Sequence, residues 1–219
     1  MRRGQPRTAL DHALKSVELD DENAEAAHLV ALIYLDFCRT SPKECQLDQA
    51  ERYARLALEV FPKYREARNT LGVVLIHAHK YSAAIETLKP LSQDILYQTP
   101  ENAWGNLGWA YLDSGQTELA IDALQRAIAA QPLFCVGHYR LGRAYEKKGD
   151  RQAAVQAYSR AIDADERCKT LQDVWAARGL LFMQLGQLNE ARADLDECVR
   201  LDQKTESGRQ CTSALGKLE

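Results

Sequence analysis

Small and apolar residues recur along this chain at intervals of three and four, the spacing that lines one face of a helix. From Glu101 the run is Trp104, Leu107, Gly108 and Tyr111, then Ala120, Leu124 and Ala127, ending at Pro132. Polar residues occupy most positions between, and no strand-like alternation appears. The pattern predicts two antiparallel amphipathic helices, A and B, closed by a proline that cannot continue the second.

The pair repeats. Aligned on Ala50, Ala84, Ala120, Ala154 and Ala191, the copies stand 34, 36, 34 and 37 residues apart, close to the 34-residue period of tetratricopeptide repeats. With Glu101 as position 1, Trp104, Leu107, Gly108, Tyr111, Ala120, Leu124, Ala127 and Pro132 occupy the diagnostic places of that repeat. The next copy carries Leu141, Gly142, Tyr145, Ala154, Tyr158 and Ala161, and the last Trp175, Gly179, Phe182, Ala191, Leu195 and Cys198. Upstream stand Leu71, Gly72, Leu75, Ala84, Leu88 and Leu91, preceded by Val30, Ala31, Tyr34, Ala50, Ala54, Ala57 and Pro62. Gly or Ala at positions 8 and 20 lets helices A and B approach, and large residues fill the space beside them. The expected fold is a single all-α domain, a right-handed α-solenoid. Its repeats are 23–63, 64–100, 101–134, 135–171 and 172–204, behind a partial repeat 1–22 and ahead of a capping helix 205–217. Thr8 to Leu19 fits a helix B without its helix A, and Gly4 falls at the A–B turn. The native chain is therefore expected to extend further back.

Composition narrows the class. An apolar fraction of 46%, a charged fraction of 27% and few prolines and glycines suit a helical water-soluble chain. A formal net charge of −3 does not favour a nucleic-acid partner. No run of about 18 apolar residues is present to span a bilayer. Met1-Arg2-Arg3-Gly4 lacks the apolar core of a signal peptide, and Leu218-Glu219 reads as the scar that precedes an affinity tag.

The repeat map also sorts the six cysteines. Cys38 and Cys45 bracket a seven-residue insertion between helices A and B of the second repeat. Cys135 opens one helix A and Cys168 follows its helix B, so both stand at the same end of a hairpin. Cys198 lies on the inner face of the last helix B and Cys211 on the cap above it. Bridges Cys198–Cys211, Cys135–Cys168 and Cys38–Cys45 are the candidates, the first two ahead of the third, and any one implies an oxidising compartment such as the periplasm. The alternative is a set of reduced cysteines filling small core sites. Metal binding has less support, because there is no C-x-x-C and no nearby His pair.

Helix A of such repeats lines a concave surface through positions 2, 5, 9, 12 and 13. Positions 9 and 12 read Leu32 and Leu35, Val73 and Ile76, then Trp109 and Leu112. Three consecutive apolar pairs form a groove suited to an amphipathic helix or short apolar segment. The alternatives are burial between curled neighbours and pairing of two copies. The next repeat changes character to Arg143 and Glu146, flanked by Arg140 and Lys147. Arg140, Arg143 and Lys147 form a secondary basic patch, either an anchor for an acidic ligand end or ordinary solvated charge. A clamp for C-terminal carboxylates is absent: its places hold His28, Leu32, Asn69 and Val73. No phosphate loop and no nucleophile–base set stands out by spacing, and His77 and His79 do not share a helical face. An enzyme is not expected, nor a cofactor or metal.

One segment exceeds the generic repeat. Leu91-Ser92-Gln93-Asp94-Ile95-Leu96-Tyr97, followed by Pro100 and Asn106-Leu107-Gly108, resembles the inter-repeat joint of the type IV pilus pilotins, the PilF/PilW/Tgl family. The order of repeats is similar across nearly the whole chain, but the long Cys38–Cys45 loop departs from the family pattern. The resemblance implies an outer-membrane lipoprotein facing the periplasm, whose lipid-bearing cysteine precedes Met1 and supplies its only membrane contact; a monomer is expected. It implies as partner the pilus secretin, whose localisation and multimer assembly such proteins assist. The apolar groove would then shield a secretin segment. The competing class is a general protein-interaction scaffold or envelope-complex subunit without a secretin client.

Overall fold

A computed structural model describes residues 5–218 and is helical from end to end. The expected turn at Gly4, the residues before it, and Glu219 lie outside the described residues. The chain divides into two compact units, residues 1–114 and 115–219. The first contains α1 (Gln5–Leu19), α2 (Ala24–Thr40), α3 (Leu47–Val60), α4 (Arg65–His77), α5 (Tyr81–Ser92) and α6 (Pro100–Asp113). The second contains α7 (Thr117–Ala130), α8 (Cys135–Lys148), α9 (Arg151–Asp163), α10 (Gln172–Gln184), α11 (Leu188–Leu201) and α12 (Glu206–Leu215).

Within each unit the small-residue lattice has a specific packing partner. A Cβ placed on Gly72 of α4 would stand 2.4 Å from Cγ of Leu88 on α5, and one on Gly142 of α8 would stand 2.4 Å from Cε1 of Tyr158 on α9. Position 8 of helix A thus receives the large residue at position 24 of helix B. Leu88 and Tyr158 are both fully buried. The lattice alanines Ala31, Ala50, Ala54 and Ala84 in the first unit, and Ala154 and Ala191 in the second, have no exposed surface. Close approach of the backbones and dense burial are therefore one feature.

Helix ends follow local chemistry. Asn23, Asp150 and Thr205 accept backbone N–H bonds at the starts of α2, α9 and α12. Pro100 begins α6, where its missing N–H costs nothing. Gly115, Gly149 and Gly186 take left-handed conformations after α6, α8 and α10. After α4 the same role falls to His79, at φ 58°, with its Nδ1 2.7 Å from the Tyr81 hydroxyl.

The structure joins all six cysteines as Cys38–Cys45, Cys135–Cys168 and Cys198–Cys211. In the first unit the insertion lengthens α2 to 17 residues, against 13 and 14 for α4 and α6. A 3₁₀ turn, Pro42–Glu44, then leads into α3. Arg7 of α1 holds this turn, donating to both Glu44 carboxylate oxygens at 3.1 and 2.6 Å. In the second unit, Cys198 and Cys211 are fully buried with Ala176, Leu195 and Ala214, so the bridge lies in the core beneath α12. Nearby Arg178 donates to both oxygens of Asp194 at 2.7 and 2.8 Å and to Ser159 Oγ at 2.8 Å. The guanidinium also lies over the rings of Trp175 and Phe182.

Candidate partner-binding face

The A helices of the first unit, α2, α4 and α6, carry the six apolar residues expected to line a groove. Position 9 keeps access to solvent. Leu32 is 40% exposed, and Val73 and Trp109 are half-buried. Position 12 is more enclosed. Ile76 and Leu112 are each only 2% exposed, and Leu35 is half-buried. Three residues advance a helix by about 300°, so position 12 stands about 60° away from position 9 and turns off the open side. Ile76 and Leu112 are core residues, which removes them from the accessible set.

Trp109 is fixed in two ways. Its indole N–H donates to Asp113 Oδ2 at 2.8 Å, and the His77 ring meets it edge-on, with centroids 5.1 Å apart. An aromatic anchor whose rotamer is already set loses little entropy on meeting a partner. His77 is exposed and belongs to this cluster. Leu29, 47% exposed, widens the face towards α1, where it walls a cleft of about 450 Å³ with Ala9, His12, Ala13 and Ser16. Leu29 sits three residues before Leu32, and that spacing was the available signal for it.

Polar groups beside this face are paired with one another. His28 is buried, with Nε2 2.9 Å from Thr70 Oγ1 and Nδ1 3.1 Å from the Tyr64 hydroxyl. Burial lowers its pKa, offset in part by the charge of Glu66. Asn69 accepts from Asn106 Nδ2 at 3.0 Å. Two of the four places where a carboxylate clamp would stand are thus committed to internal bonds.

The second unit presents different chemistry. Arg143 and Lys147 of α8 are exposed and Arg140 is half-buried. Arg143 lines a cleft of about 270 Å³ together with Tyr139, Glu146, Tyr158, Asp173 and Gln210. Tyr158 donates to Glu146, and burial first and that carboxylate second raise the phenol pKa. Ser207 donates to Asp173. The cleft therefore mixes both signs of charge and is not a simple anion site.

Models of the tetratricopeptide repeat match residues 96–133 and 106–167, and a second such model matches 172–205. The fold is a tetratricopeptide-repeat solenoid. Among solved structures of this fold, PilW, described as a widely conserved type IV pilus biogenesis factor, aligns with a TM-score of 0.79 and 23% identity, over 96% of this chain and 92% of that one. PilF of Pseudomonas aeruginosa aligns with a TM-score of 0.71 and 18% identity, over 97% and 91%. A UDP-N-acetylglucosamine–peptide N-acetylglucosaminyltransferase of Giardia intestinalis is 31% identical over 91 residues, 42% of this chain and 6% of its own length. Across the curated relatives compared, the share of their length that this chain spans runs from 6% to 53%. The solenoid has no helix long and apolar enough to cross a membrane among its described residues.

Proposed function

We propose that this solenoid is a protein-interaction scaffold of type IV pilus biogenesis, a pilotin that assists outer-membrane localisation and multimer assembly of the pilus secretin. The observation that carries the reading is the apolar face on α2, α4 and α6, where Leu32, Val73 and the prefixed Trp109 remain accessible with Leu29 and Leu35 at its margin. Such a face takes the apolar stripe of an amphipathic helix or a short apolar segment, the kind of surface that an unassembled subunit must hide from water. The likeness to PilW over nearly the full length of both chains, and the joint at Leu91–Tyr97, support the assignment to the pilus machine. Three disulfides support an oxidising compartment, in keeping with a periplasmic position. Lipid anchoring at the outer membrane is part of the same reading.

The test is affinity capture from the native envelope with Leu32→Asp and Val73→Asp variants. Charged groups there are tolerated by the fold because the positions reach solvent, whereas the same change at buried Ile76 would break the core. Loss of secretin capture and of secretin multimers, with unchanged melting, is the expected result. Unchanged capture by folded variants would refute the groove. A scaffold without a secretin client is the second reading. It is favoured by the transferase match, in which a 91-residue segment recurs in a protein of different activity. Capture of another protein in place of the secretin would establish it.

A further inference from the structure

The edge of the first unit that carries the α3–α4 and α5–α6 connections has a surface that the partner face does not use. Ile95 is 95% exposed and Leu96 62%, consecutive residues at the tip of the α5–α6 connection. Single surface leucines are ordinary, but two adjacent branched side chains at one tip form a local apolar projection.

The tip is held in place. Asp94 Oδ1 accepts the Leu96 N–H at 2.9 Å, the Asp94 carbonyl accepts the Tyr97 N–H at 3.1 Å, and Asp94 Oδ2 accepts from Arg65 Nε at 2.7 Å. Tyr97 is buried with Leu91 and Ala103. The apolar pair is therefore displayed outward by a fixed backbone, beyond reach of the unit's own core.

Beside the tip lies a cleft of about 260 Å³ lined by Pro62, Lys63, Arg65, Arg68, Pro90, Leu91 and Asp94. Three cations face one anion there, and that anion is already paired with Arg65. Arg68 donates to the Pro62 carbonyl at 2.7 Å, which keeps its guanidinium at the cleft. Lys89 is exposed next to Pro90, and Phe61, 50% exposed, precedes Pro62. Glu66 is the exposed carboxylate on the same stretch of α4. Leu19, at the α1–α2 connection, is also exposed but stands beside Asp20, Asp21 and Glu22. Apolar projection and positive charge coincide at the α5–α6 joint.

We propose that this edge is a peripheral contact for an anionic phospholipid surface, a membrane contact beyond the lipid anchor that the family resemblance implies. Ile95 and Leu96 enter the boundary between headgroups and acyl chains, and Lys63 and Arg68 meet lipid phosphates. Shallow apolar insertion backed by cations is the physical form of interfacial binding. A second copy is a poorer occupant, since a two-fold contact would set the Lys63, Arg65 and Arg68 cluster against itself. A two-residue tip is also small beside the roughly 800 Å² per partner of a stable protein interface.

The experiment is co-sedimentation of the whole chain with vesicles of phosphatidylcholine, with and without about one third phosphatidylglycerol. Binding is expected to the mixed vesicles only and to be lost in about 0.5 M salt. Ile95→Ser with Leu96→Ser should lower the partition about tenfold or more with unchanged helicity and melting, since both side chains stand outside the core. Lys63→Glu with Arg68→Glu should do the same through charge. No partition to the mixed vesicles, equal partition to both kinds, or partition indifferent to the Ile95/Leu96 pair would overturn the proposal. So would a doubling of solution mass that the Ile95/Leu96 variant removes, which would give the patch to a second copy. No secretin enters the assay, so its outcome is separate from that of the pilotin reading.

Discussion

Two residues of the first unit show how much a single position decides. Gly72 occupies a place where the helix would gain about 1 kcal/mol from Ala on intrinsic preference. The contact with Leu88 opposes that gain, because the new methyl would lie 2.4 Å from a fully buried side chain. Overpacking typically costs about 1–3 kcal/mol, so Gly72→Ala should lower stability by up to about 2 kcal/mol, read as a lower urea midpoint with unchanged slope. His28 was legible only as the absence of a clamp lysine; its burial between Thr70 and Tyr64 depends on side chains 42 and 36 residues away. Its folded pKa lies below the ordinary imidazole value because of burial. The unfolded chain takes up that proton near pH 6.5, so below this pH the unfolded state binds more protons and stability falls. The contribution is complete above about pH 6.5 and is lost as the pH falls towards the depressed value. His28→Gln should flatten this part of the stability–pH curve in urea titrations at a series of pH values.

At the scale of elements, each predicted helix pair has its counterpart because small-residue spacing, caps and prolines are local signals. The closing helix was expected over Thr205 to Lys217, and α12 spans Glu206–Leu215 behind the Thr205 cap. Its attachment is not local. Cys211 reaches Cys198 in a fully buried position, and a Cβ on Gly208 would stand 2.0 Å from the Asp202 carbonyl, so α12 lies hard against the preceding turn. Replacing both cysteines by Ser removes the cross-link and places hydroxyls in an apolar cluster. The expected loss is about 2–4 kcal/mol, with hydrogen exchange accelerated first along α12. Protection along α12 equal to that of the native chain would show that packing alone holds the cap.

At the scale of the molecule, the pairing of cysteines is the feature with the widest consequence. Three bridges distributed over both units leave no free cysteine among the described residues. Alkylation of the unfolded, unreduced protein should therefore add no label, and reduction beforehand should expose six thiols by mass. Label uptake without reductant would count against an oxidising compartment. The sequence by itself determined the helical class, the repeat phase and the candidate bridges, because each is written in spacings of a few residues or in one repeat period. Tertiary structure decided which apolar residues are reachable. Leu32 and Ile76 look alike in a helical stripe, yet a rotation of about 60° about the helix axis leaves the first at a surface and puts the second in the core. It also decided that Ile95 and Leu96 point into solvent beside Lys63 and Arg68, since the two connections meet only when the helices between them are packed.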